Sequence, residues 1–151
     1  MGKSGNRIIL LASVIFLITM IIGCSSKNNS KDIFNIEQFQ NEMKIRNYNF
    51  EIKDVQQDFL PTTRKRMIIN DKAIDIYLFN SNKNMESEAR HIDSGGCGYD
   101  NGSNSVKVSW VSFPHFYKKG SIIVQYIGED EKIISDLKDI FGEQFAGYTL
   151  K

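Results

Sequence analysis

Cysteine and histidine are scarce in this chain, and neither sign of charge dominates. The 151 residues hold two cysteines and two histidines, and 19 Lys and Arg stand against 18 Asp and Glu. Two cysteines exclude a disulfide-dense scaffold and a multi-cysteine zinc module. Two histidines without clustered acids argue against a dedicated transition-metal site, so no metal and no cofactor is expected. The charge balance leaves no electrostatic footprint for nucleic acid. Three catalytic signatures are missing: G-x-S-x-G, H-E-x-x-H and a paired-carboxylate motif. No catalytic residue is therefore assigned from motifs. The length favours one domain, large enough to hold a core without metal or disulfide.

What the chain does have is one long apolar run. Lys3 and Arg7 precede fifteen residues, Ile8 to Ile22, broken only by Ser13 and Thr19. As a helix that run spans about 22 Å, short of a bilayer core of roughly 30 Å. This is the pattern of a signal-peptide h-region. The run ends in Ile21-Ile22-Gly23-Cys24, which resembles the lipobox of bacterial lipoproteins. The resemblance implies a diacylglycerol on the Cys24 thiol and cleavage between Gly23 and Cys24. It also implies palmitate-type acyl chains and a place on the extracytoplasmic face of the cell membrane. Two acyl chains suffice for stable anchoring. Residues 1–23 then form a signal peptide, residues 24–32 the lipidated cysteine and a flexible tether, and residues 33–151 a single folded domain. Loss of Lys3 and Arg7 with the leader leaves 17 basic residues against 18 acidic.

The domain reads as α+β. Ile36, Phe39 and Met43 make one apolar helical face, opened by an Asn35/Gln38 capping box and ending near Arg46. Tyr48, Phe50 and Ile52 alternate as a strand, broken by Phe59-Leu60-Pro61. Lys65 to Asn70 and Ala73 to Phe79 follow as strands, the second apolar enough to be central. Asn82 can cap a helix with Met85, Ala89 and Ile92 inward. Ser94 to Ser105 reads as a loop, Val106 to Trp110 as a fourth strand and Ser121 to Ile127 as a fifth. Asp130 caps a last helix, with Ile133, Leu137 and Ile140 on its apolar face and Gly142 as its stop. The segments Tyr77 to Ile92 and Gln125 to Ile140 overlay with an offset of 48. The expectation is an N-terminal helix, then two ββα units in an antiparallel sheet with the helices on one face.

The domain is also similar to a group of small lipoproteins of Gram-positive bacteria. The residues that carry this are Arg64-Lys65-Arg66, Tyr77, Met85-Glu86, Trp110-Val111 and Pro114 to Gly120. The abundance of Lys, Ile and Asn, suggestive of an AT-rich genome, agrees. The resemblance implies a location and a fold, and names no activity.

One segment is unusual for a hairpin loop. Phe113, His115, Phe116, Tyr117, Lys118 and Lys119 put three aromatics, a histidine and two lysines between the fourth and fifth strands. On an exposed tip they suit an anionic surface, an envelope polymer or an acidic protein patch. Arg64, Lys65 and Arg66 form a candidate basic patch beside it. The plainer reading turns Phe113 and Phe116 inward and leaves the lysines solvated. Cys97 sits in a glycine-rich loop without an intramolecular partner once Cys24 is acylated. The leading expectation is a lipid-anchored module that binds an envelope component or a protein. The alternatives are an envelope hydrolase or thiol enzyme using His115 or Cys97, and a structural accessory of a membrane complex.

Overall fold

The computed structural model describes residues 33–148. The signal peptide, Gly23, Cys24 and the tether lie outside the described residues. Helix α1 (Ile36–Ile45) opens as expected, with Asn35 accepting from the Gln38 backbone and Gln38 answering the Asn35 N–H. Its buried residues are Ile36, Phe39 and Met43. Four strands and a helix follow: β1 (Glu51–Val55), β2 (Thr63–Ile69), β3 (Lys72–Leu78), α2 (Asn82–Ala89) and β4 (Gly98–Asp100). The chain continues through β5 (Ser105–Lys107), β6 (Pro114–Lys119), β7 (Ile122–Ile127), α3 (Glu131–Phe141) and β8 (Ala146–Gly147). Among the described residues, no helix is long and apolar enough to cross a membrane.

Six strands form one antiparallel sheet in the order β1-β2-β3-β7-β6-β8. The central place of β3 follows from its composition, since a strand covered on both faces needs apolar side chains on both. Strand alternation sorts the sheet into two cores. Ile74, Ile76, Ile122, Val124 and Tyr126 face α1 and α3. Tyr77, Ile123 and Phe116 face Met85 and Ala89 of α2, together with Phe59, Leu60 and Tyr99. The helices therefore lie on both faces of the sheet, which corrects the expectation of one face. The cause is visible in the helix sequences. Both α2 and α3 follow the outward end of a central strand, but each has its own apolar stripe to bury, and the sheet offers two apolar faces.

This placement bears on the offset of 48. Strands β3 and β7 are antiparallel neighbours, so the rotation that overlays them, with β2 on β6, preserves the faces of the sheet. It would put α2 and α3 on the same face, whereas Met85 and Ile133 belong to opposite cores. The two segments are thus of opposite hand, and the sequence overlay is not the mark of a rigid duplicated unit.

Three further boundaries differ from expectation. Ser81, not Asn82, caps α2 by accepting from the Asn84 N–H; Asn82 instead donates to the Gly120 carbonyl, 2.8 Å away. The loop from Ser94 to Ser105 contains β4, which pairs with β5 in a separate two-stranded ribbon. The fourth strand shrinks to Ser105–Lys107. Trp110 lies beyond it, its indole N–H donating to the Gly96 carbonyl at 2.7 Å and its ring edge-on to Phe59.

Candidate functional site

The aromatic-basic segment is a strand, not a loop. β6 pairs with β7 along its whole length, from Pro114 opposite Ile127 to Lys119 opposite Ile122. His115, Phe116 and Tyr117 are buried. Alternation sends Lys118 to one face, where it meets Glu86 at 2.5 Å. Lys119 goes to the other, 4.6 Å from the Phe34 ring centroid and donating to the Ile140 carbonyl at 2.7 Å. This corrects the expectation of an exposed binding loop: Phe116 fills a core, and the lysines point apart. Of the three aromatics of the segment, Phe113 alone stays partly exposed, stacked on Tyr148 with centroids 3.9 Å apart.

The candidate basic patch is divided in the same way. Lys65 points to the α1/α3 face of the sheet and pairs with Asp54 at 2.5 Å. Arg64 and Arg66 share the opposite face with Asp75, and this is where the polar groups of the domain converge. Arg66 makes a two-pronged contact with Asp75, Nε to Oδ1 at 2.7 Å and Nη2 to Oδ2 at 2.8 Å. Arg64, buried, also reaches Asp75 Oδ2 at 3.2 Å, donates Nε–H to the Gln56 carbonyl at 2.8 Å and pairs with Asp58. Buried charges are tolerated only when paired and hydrogen-bonded, and two guanidiniums here face two carboxylates.

Tyr77 joins this cluster. Its hydroxyl is 2.9 Å from Asp58 Oδ1 and 3.1 Å from the Gln125 carboxamide. Burial, with the Asp58 charge beside it, pushes the phenol well above its ordinary range, so the proton stays. Gln125 is 2% exposed. With its carbonyl toward Tyr77, its Nε2 has no hydrogen-bond partner. Tyr77 has a single hydroxyl hydrogen, and a carboxylate is a stronger acceptor than an amide. If Asp58 takes that hydrogen, the amide turns, donates to the Tyr77 oxygen, and its own carbonyl oxygen becomes the unpartnered atom.

Arg66, Asp75 and Gln125 line an open cleft of about 590 Å³. Its rim comes from the Asp71–Lys72 turn and from Ser112 and the Gly128–Asp130 segment. None of its lining residues belongs to α2 or the β4–β5 ribbon, so this part of the sheet face has no helix over it. The chain enters the domain beside the opposite end of the same strands. There the Phe34 carbonyl accepts from the Ser121 N–H at 2.9 Å, next to the Gly120 turn. Six residues of strand, roughly 20 Å, separate that turn from Gly128.

Of the two residues that could do chemistry, His115 lies beside the cleft and Cys97 does not line it. Both ring nitrogens of His115 face amide oxygens, Nδ1 the Gln144 Oε1 at 2.8 Å and Nε2 the Gly128 carbonyl at 3.2 Å. Cys97 is exposed, and its thiol contacts the Gly95 carbonyl at 3.6 Å. Its backbone N–H, not its sulfur, meets a carboxylate, that of Asp93 at 3.0 Å. Among the described residues, no three of His, Cys, Asp and Glu converge in a way that could hold a metal.

Asp58, Asp75 and Gln125 belong to no motif of the sequence. A signal was there. Asp75 and Gln125 are polar residues set inside central strands that are otherwise apolar, and they are register partners. A polar pair in such a place needs buried partners or a ligand. Set against family models, curated proteins and solved structures, the chain matches none.

Proposed function

We propose that this chain is a lipid-anchored extracytoplasmic protein whose domain is a binding module. The proposal takes Cys24 as the diacylglycerol attachment point, Gly23-Cys24 as the cleavage site, and residues 24–32 as the tether. The observation that carries the binding half is the cleft over Arg66, Asp75 and Gln125, an uncovered stretch beside central strands that are otherwise buried on both faces. It holds charged and polar groups fixed by each other, which is how preformed recognition sites keep their geometry.

The geometry of His115 and Cys97 gives the enzyme reading no comparable support. Each lacks the acid or base at hydrogen-bond distance that nucleophilic or general-base chemistry requires. Growing cells with a clickable fatty acid tests the anchor. The wild-type chain should take up label, and Cys24→Ser should not. Equal labelling of both would overturn the proposal.

A further inference from the structure

A second hollow, of about 420 Å³, opens beside α2 and shares no lining residue with the cleft. Its walls are Gln57 and the Pro61–Thr63 stretch, the exit of β3 from Leu78 to Asn80, and one face of α2. Asn84, Ser87 and Glu88 stand at i, i+3 and i+4 on that helix and so share a face, while Met85 and Ala89 turn to the core. The backbone behind these side chains is fixed. The Thr62 hydroxyl donates to the Leu78 carbonyl at 2.5 Å, and the Phe79 N–H to the Ser121 carbonyl at 2.9 Å. Buried Tyr99 donates its phenol hydrogen to Glu88 Oε2 at 2.5 Å. Burial, with that carboxylate beside it, pushes the phenol above its ordinary range, so the hydrogen stays. The groups that face the hollow are of another kind. They include the carboxamides of Gln57, Asn80 and Asn84 and the hydroxyls of Thr63 and Ser87. Among the described residues, none of these side-chain groups has a hydrogen-bond partner. Glu88 brings the one charge of the lining, whereas the cleft mixes both signs.

We infer that this hollow binds an uncharged saccharide, with the carboxamides of Gln57, Asn80 and Asn84 hydrogen-bonded to its hydroxyls and Phe79 against a C–H face of the ring. The inference concerns a different surface from the cleft and stands without it. A sugar hydroxyl both donates and accepts, and a carboxamide offers two donors and an acceptor. Carboxamides and hydroxyls side by side therefore match a ring of vicinal hydroxyls in either role. Glu88 has one oxygen held by Tyr99 and can accept a ligand hydroxyl on the other, a charge-assisted bond. An anionic ligand would meet Glu88 and no cation. An apolar ligand would strip these groups of water and return no bonds, which costs free energy at each one. Phe79 is half-buried and gives the hollow an aromatic wall. The volume falls within the roughly 300–1,000 Å³ of small-molecule sites. A free sugar and a glycan chain share this chemistry, and the length of the probe separates them.

The test is a titration of the isotope-labelled full chain, held in a phosphocholine detergent that carries no sugar, followed by backbone and side-chain amide NMR. Maltotriose, cellotriose and tri-N-acetylchitotriose are the neutral probes, with glucose and N-acetylglucosamine as their single rings. Trigalacturonate and the deacetylated chitotriose are the charged counterparts, and glycerol is the polyol control. The expected result is a saturable shift of the Gln57, Asn80 and Asn84 side-chain amides and of the Thr62–Thr63 and Ser87–Glu88 backbone, from at least one neutral trisaccharide. Tighter binding of that trisaccharide than of its single ring assigns a glycan chain, and equal binding a free sugar; both support the inference. Salt should leave the affinity unchanged, since no ion pair forms. The double substitution Asn80→Ala, Asn84→Ala removes two exposed side chains, so the unfolding midpoint should hold while the dissociation constant rises about tenfold. The absence of a saturable shift from every neutral probe would overturn the inference. So would equal shifts from glycerol or from a charged counterpart, shifts confined to other residues, or wild-type affinity in the double variant. None of these readouts uses Cys24 or the Arg66–Asp75–Gln125 row, so failure here is distinguishable from failure of the anchor or of the cleft.

Discussion

Tyr77 Oη lies 2.9 Å from Asp58 Oδ1, and this contact ties the central strand to the segment that runs from β1 to β2. Phe59 and Leu60, the next two residues of that segment, are fully buried against Tyr77, Phe116 and Tyr99. The polar clasp therefore holds the lid of one of the two cores, and it shares Asp58 with Arg64. Removing the hydroxyl alone tests it. Tyr77→Phe should cost about 1–3 kcal/mol, because a buried hydrogen bond is lost and Gln125 loses its one partner. Urea unfolding followed by circular dichroism measures the loss. A change within 0.3 kcal/mol, roughly the additivity error of such measurements, would show that the clasp carries no stability.

Asp75 is the shared acceptor of both arginines. Asp75→Ala leaves Arg64 buried with one carboxylate instead of two and Arg66 with none. Breaking one side of a buried ion cluster costs about 3–5 kcal/mol. We expect the lower part of that range, since the Arg66 side chain is 36% exposed and water can take over some of its donors. The shift in denaturation midpoint at unchanged slope is the readout.

Asp130 caps α3 and pairs with Lys72 across the mouth of the cleft. The Lys72 hydrogen bond, with the Ile133 backbone N–H behind it, holds the Asp130 carboxyl below the ordinary Asp value. A carboxyl depressed in the folded state adds stability above its unfolded pKa, near 4, and loses it as the pH falls through the lower folded value. Stability should thus be steady from pH 7 to about pH 5 and decline below about pH 4. Lys72→Met should move the Asp130 titration, read by carbon NMR of the carboxyl, upward toward the ordinary value. An unchanged titration would contradict the pairing.

Two glycines with positive φ separate backbone strain from crowding. At Gly102 (φ 83°) an added Cβ meets nothing within 4 Å, whereas at Gly120 (φ 61°) it would lie 2.0 Å from the Phe34 carbonyl oxygen. Gly102→Ala should cost about 1 kcal/mol, the left-handed penalty alone. Gly120→Ala should cost clearly more, because Phe34 must leave its bond to Ser121. Thermal unfolding of the two variants side by side decides it, and equal losses would refute the close approach of Phe34.

Much of the fold is legible in the sequence, and the reasons are local. The Asn35/Gln38 capping box, the Asp130 cap and the stop at Gly142 are side-chain and backbone effects within a few residues, and the observed caps agree. The central strand β3 declares itself by its apolar run. The candidate site was not legible. Phe113 to Gly120 is apolar and aromatic on successive positions, so it lacks the alternation that marks a half-buried strand. It is a strand buried on both faces, and Pro114 stands at its first residue, where a missing N–H is tolerated. Arg64-Lys65-Arg66 reads as a cluster along the chain, yet a period of two divides it between faces. The Arg66–Asp75–Gln125 row depends on which strands become neighbours across 59 residues of chain. Local pattern does not carry that pairing.

The proposed lipid anchor at Cys24 fixes both the first residue and the mass of the mature chain. Intact-mass and N-terminal fragment spectra of the protein purified from the membranes of its own host test this most directly. The expected mature chain begins at Cys24, lacks residues 1–23 and carries a diacylglycerol mass on that cysteine. A chain that retains Met1, or one cut elsewhere with an unmodified Cys24, would contradict it.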